Sequence, residues 1–141
     1  MAVLVDSYSE SNQDSYTTIG LDYHEGVGQS FTATGGVLNL VKFYLKKTTS
    51  PTGNAIAKIY AHTGTFGTNS LPTGSALAIS DNFDVATLTT SFQLITFTFS
   101  GANKITLTNG TYYVVTCEYT AGNSVNVGED DSSPTHSGNF C

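Results

Sequence analysis

The chain has 141 residues and a net charge of -6; its five basic residues are all lysine, with no arginine, against eleven Asp and Glu. This length holds one hydrophobic core of ordinary size, so a single domain over 1–141 is expected. An acidic chain without guanidinium groups is not expected to bind nucleic acid, and without a basic patch or a long apolar run it is not expected to enter a membrane.

Period-two alternation, punctuated by Gly, Pro, Asn and Asp, runs through the whole chain, and no amphipathic stretch has helical period. It predicts strands near 2–8, 27–34, 37–47, 54–62, 75–80, 92–99, 104–108, 111–119 and 123–128. The first begins with the apolar run Ala2-Val3-Leu4-Val5, which lacks the basic region and cleavage site of a secretory signal. Asp22-Tyr23-His24-Glu25 follows, with two carboxylates and an imidazole in four residues. Alternate side chains of an extended segment point apart, which disfavours a transition metal there, but Asp22 and Glu25 are candidate calcium ligands.

In 37–47, Val41, Phe43 and Leu45 share one face and Lys42, Tyr44 and Lys46 the other, the pattern of a sheet buried on one side. Ser50-Pro51-Thr52-Gly53-Asn54 is a turn, expected to join this strand to 54–62 as an antiparallel hairpin. That pairing would set Lys42, Tyr44 and Lys46 beside Lys58, Tyr60 and His62. Tyrosine rings among polar donors suit the faces of sugars, and the lysines would favour acidic ones, so Tyr44, Tyr60, Lys42, Lys58 and His62 form a candidate glycan platform. Between Gly64 and Gly74 lies a longer loop. In 92–99, Ile95, Phe97 and Phe99 face inward.

Asn109-Gly110 carries the signal of a type I′ hairpin; Asn109-Gly110-Thr111 is also a formal glycosylation sequon. In 111–119, Cys117 falls on the face of Tyr113, Val115 and Tyr119; it is either a small buried hydrophobe or bridged to Cys141 or another chain. Glu129-Asp130-Asp131 ends the next strand and is a second candidate calcium site. Many short strands between Gly and Pro turns predict an all-β fold, a single jelly-roll-like β-sandwich of two antiparallel sheets.

Several segments together carry a resemblance. They are Gly28-Gln29-Ser30-Phe31-Thr32, Val41-Lys42-Phe43-Tyr44-Leu45-Lys46-Lys47, Pro51-Thr52-Gly53-Asn54 and Ala57-Lys58-Ile59-Tyr60, then Leu71-Pro72-Thr73-Gly74-Ser75 and Leu88-Thr89-Thr90-Ser91-Phe92-Gln93. Phe97-Thr98-Phe99, Gly110-Thr111-Tyr112-Tyr113 and Asp131-Ser132-Ser133-Pro134 complete the series. From about residue 20 onward the chain resembles the choice-of-anchor family, R type, of surface-displayed β-sandwich modules. The resemblance implies a jelly-roll-like module similar to carbohydrate-binding modules, found in secreted or surface-anchored bacterial proteins and in phage structural proteins, with no established catalytic residues. Such modules continue into a Trp-containing stretch and a last strand, whereas this sequence has no Trp and stops at Cys141, so that either it is cut short or the final strand is absent. A sandwich short of a strand exposes an unpaired edge, expected to be covered by Val3, Leu4 and Val5 of a neighbouring copy.

No nucleophile elbow, zinc-binding His pair, phosphate loop or dinucleotide fingerprint occurs, so an enzyme is not expected. The polar, acidic, Lys-poor surface belongs outside a cell. The expectation is therefore a non-enzymatic structural or adhesion module on a virion surface or in extracellular space. It would be a phage decoration, fibre or tail protein assembling with copies of itself or other surface proteins, or a carbohydrate-binding module. The only cofactor expected is a structural calcium.

Overall fold

The computed structural model describes residues 4–122, 124–132 and 134–141. In chain order the strands are β1 (Ser15–Ile19), β2 (Gly26–Thr32), β3 (Gly36–Val37), β4 (Leu40–Lys47), β5 (Asn54–Thr63), β6 (Leu71–Ile79), β7 (Phe83–Asp84), β8 (Gln93–Thr98), β9 (Thr106–Leu107), β10 (Tyr112–Glu118) and β11 (Val125–Glu129). Helical structure among the described residues is confined to single 3₁₀ turns, and no helix is long and apolar enough to cross a membrane.

One sheet has the order β1-β11-β4-β8; the other has β2-β10-β5-β6, with β7 on the start of β5, and β3 pairs with β9 apart from both. Every ladder between these strands is antiparallel. The all-β expectation of two antiparallel sheets holds. Ile19, Leu45, Phe97, Val125 and Val127 from the first sheet meet Val27, Phe31, Ala57, Ile59, Tyr113 and Cys117 from the second in one buried cluster. The alternation expected in 41–47 and 92–99 is therefore the alternation between core and outer face, while in 111–119 Val114 and Thr116, opposite Tyr113 and Cys117, are buried as well.

Several expectations need correcting. The run 4–8 forms no strand: Leu4 is 73% exposed, and only Val5 packs against the core. Val3 lies outside the described residues. The ladder position goes instead to β1, where a single buried residue, Ile19, suffices for a strand at a sheet edge. Second, the stretch 37–47 breaks into β3 and β4. Leu38 donates its N–H to Ile105 and Asn39 accepts from Phe99, which carries the chain from the small sheet to the large one.

Third, the Pro51–Gly53 turn is no hairpin. It carries the chain from β4 in one sheet to β5 in the other, with Gly53 at φ +87 and the Tyr119 hydroxyl donating to the Thr52 carbonyl. At Asn109-Gly110 only Gly110 has positive φ (+77), so the turn closed by Thr111 N–H to Thr108 is of type II character, not I′. Its flanking strands pair elsewhere, β9 with β3 and β10 with β2 and β5.

Fourth, the outer edge of β2 is not open. Gly28 exchanges both backbone hydrogen bonds with Cys141, and Ser30 N–H donates to the Asn139 carbonyl at 3.0 Å. The chain's own residues 139–141 thus line that edge.

Cys117 and Cys141 are both free thiols. Burial pushes the Cys117 thiol far up, with Glu118 adding to the effect, and burial raises Cys141 as well. Since the thiolate is the reactive form, timed maleimide treatment should add one label at the part-exposed Cys141 and leave Cys117 untouched until the chain unfolds. Intact-mass spectra followed by peptide mapping check the order; early labelling of Cys117 would contradict it.

Candidate functional site

The alternation of β4 turns Lys42, Tyr44 and Lys46 to the outer face of the first sheet. There the Tyr44 ring stacks on Phe92, with centroids 5.0 Å apart and planes at 22°, and Tyr16 on β1 tilts toward the same Phe92 at 6.4 Å. The Lys46 ammonium lies 4.8 Å from the Tyr16 centroid and 4.7 Å from that of Phe92. Exposed cation–π contacts of this kind are worth about 0.5–1 kcal/mol each. Gly128, opposite Tyr16 in the ladder, makes the floor: a β-carbon there would sit 3.1 Å from Tyr44 and 2.9 Å from Gln13. Exposed Leu94, paired with Tyr44, extends the strip, and Lys42, opposite Thr96, continues the face as an exposed charge.

On the other outer face, β5 projects Lys58, Tyr60 and His62. The Glu118 carboxylate from β10 gathers three donors: Lys58 Nζ at 2.5 Å, the Tyr60 hydroxyl at 3.0 Å and the Thr116 hydroxyl at 2.8 Å. That carboxylate holds the Lys58 ammonium above the ordinary lysine value, against some loss of hydration. Burial, and then Glu118, raise the Tyr60 hydroxyl. Beside the pair is a small cleft of ≈ 130 Å³ lined by Asn54, Ile56, Lys58, Glu118, Tyr119 and Thr120. It is well short of the roughly 300–1,000 Å³ of drug-sized sites, so it admits only a small group. His62 turns away from it, its Nε2 2.9 Å from the Ser70 hydroxyl and its ring against Phe66 and Tyr112.

The expected platform is therefore divided. Lys42 and Tyr44 belong to one outer face and Lys58, Tyr60 and His62 to the opposite one, because β4 and β5 lie in different sheets. Two residues of the first face were not foreseen: Tyr16, on a strand with one core residue, and Phe92, just before β8. Glu118 was visible only as an acidic residue; its partnership with Lys58 depends on the β5–β10 register.

The acidic residues do not converge as a calcium site. Asp22 and Glu25 are exposed around a turn in which Tyr23 N–H donates to Gly20 and Gly20 N–H to His24. Glu129 accepts from the Thr17 hydroxyl, Asp130 from the Tyr8 hydroxyl, and Asp131 gives its N–H to Asp14. The Ser132 hydroxyl and the Asp131 N–H together hold the Asp14 carboxyl below its usual range. Among the described residues no three His, Cys, Asp or Glu side chains come close enough to hold a metal ion.

Comparison with known proteins adds no relative: no family model matches the chain, and neither a curated protein nor a solved structure does.

Proposed function

We propose that this chain is a non-enzymatic adhesion module of jelly-roll type, in the manner of the choice-of-anchor modules it resembles. It works on an exposed surface as a phage decoration, fibre or tail component among neighbouring subunits. The resemblance and the acidic, Lys-poor composition support that setting. The observation that carries the recognition reading is the Tyr16–Phe92–Tyr44 strip with Lys46 on the outer face of the first sheet. Aromatic edges and a phenol beside an ammonium suit a sugar bearing a carboxylate, with Lys46 leaving the rings to meet the anion. The same strip favours the second reading, a carbohydrate-binding module of a secreted or surface-anchored bacterial protein.

Glycan-array binding by the intact chain, repeated with Tyr16→Ala, Tyr44→Ala and Lys46→Gln, tests the recognition reading. Loss of each ring is expected to weaken binding by about tenfold, the scale of one aromatic contact, and Lys46→Gln should selectively weaken acidic glycans. Signals unchanged in all three variants would overturn it. Assembly contacts burying more than about 1,000 Å² would separate the virion role from a monomeric carbohydrate-binding module.

A further inference from the structure

We propose that residues 137–141 are an exchangeable strand: the β2 edge they fill in their own chain can be filled by the same residues of a second copy, linking copies without any new surface. The proposal does not depend on glycan binding.

The docking is built like a ladder with a side-chain key. Gly28 and Ser30 supply the backbone pairing with Cys141 and Asn139, and Gln29 bridges Phe140. Asn139 gives its own N–H to the Ser30 hydroxyl at 2.8 Å, and its Oδ1 accepts the Ser70 N–H at 3.0 Å. Ser30 and Ser70 are fully buried under it. The approach is so close that a β-carbon on Gly138 would collide with the Ser30 carbonyl, and one on Gly67 would sit 2.5 Å from the Ser137 carbonyl. The groove is therefore shaped for this sequence, and a second copy of the chain supplies the same sequence.

Two features make exchange feasible. All of these bonds are made to β2 and to Ser70, before β6, whereas the segment is tethered to β11 in the opposite sheet through the stretch 130–136. Besides that tether, the segment 6–8 holds the stretch, where Asp6 accepts from His136 Nε2 at 2.8 Å and Tyr8 accepts from the Thr135 N–H, and Gln29 Nε2 of β2 lies 3.1 Å from His136 Nδ1. Phe140, the large hydrophobe of the segment, is 46% exposed even when docked. Docking within the chain and between chains uses the same contacts, so the choice depends on local concentration. A short tether gives an effective concentration in the millimolar range. Dilute chains should be self-closed, and chains crowded on a surface should exchange.

A complementation experiment with full-length chains decides the matter. Ser30→Leu blocks the groove but leaves its segment intact; Gly138→Val leaves the groove but cannot dock its own segment. Near-UV circular dichroism verifies that each is folded. Native mass spectrometry should find each variant monomeric alone and a 1:1 heterodimer, a doubling of mass, on mixing. Two folded variants that stay monomeric in the mixture would overturn the proposal. If either variant does not fold, heavy- and light-isotope wild-type chains are held together at millimolar concentration. Mixed-isotope dimers that vanish in Asn139→Ala support exchange, while their absence, or persistence in Asn139→Ala, refutes it.

Discussion

Phe97→Ala should lower the stability of the chain by about 3–5 kcal/mol, the usual cost of emptying an aromatic core site. Phe97 is 1% exposed on β8, an edge strand held by one ladder, to β4. Its ring contacts Phe43 edge-on at 6.0 Å and Phe83 at 5.7 Å. Phe43 belongs to β4 in the same sheet, and Phe83 to β7, which pairs with β5 in the other. The side chain therefore ties the two sheets together at the edge where the ladder is weakest. A domain holds only about 5–15 kcal/mol in total, so the urea midpoint should fall by a large fraction while the slope stays the same. Thr98→Ala, one residue along and facing solvent, should change stability by less than about 0.5 kcal/mol. Equal costs for the two would mean that the inward register assigned to β8 is wrong.

That register is what period-two alternation can show. Val41, Phe43 and Leu45, or Tyr113, Cys117 and Tyr119, declare an inner face because each must leave water regardless of which strands flank it. Pairing is different. Pro51 and Gly53 bend the backbone in the same way whether the next strand returns beside the last or crosses to the other sheet, and only the packing of the assembled layers decides. This is why Tyr44 and Tyr60, each rightly placed on an outer face, end on opposite sides of the molecule. Tyr16 escaped notice because an edge strand needs only one buried residue to hold it. Ser137-Gly138-Asn139 escaped because its docking uses backbone groups and a part-buried amide, which read in a sequence as an ordinary polar loop.

The Lys58–Glu118 pair is the polar counterpart of Phe97, and the second largest effect is expected there. The two side chains are 21% and 22% exposed, enough shielding for loss of one partner to matter. Glu118→Ala strands the ammonium and leaves the Tyr60 and Thr116 hydroxyls without their acceptor. A loss of about 2 kcal/mol follows from one charge-assisted bond and the exposed part of its desolvation penalty. Lys58→Met should cost less, because the stem still packs and Glu118 keeps two donors. The double variant Lys58→Met/Glu118→Leu should recover part of the loss, since an ion pair replaced whole leaves no orphaned charge.

The alkaline limb of the stability curve tests the same pair independently. Folding raises the Lys58 pKa above its ordinary 10.5, so the contribution of the pair is complete below that value and lost as pH rises through the higher folded one. Tyr60, also raised, acts with the same sign, and a Tyr60→Phe background removes it. In that background, wild-type Lys58 should give a steeper fall in urea midpoint above pH 10.5 than Lys58→Met does. Parallel alkaline slopes would show that the ion pair contributes nothing to folding, and that Glu118 is held by its hydroxyl donors alone.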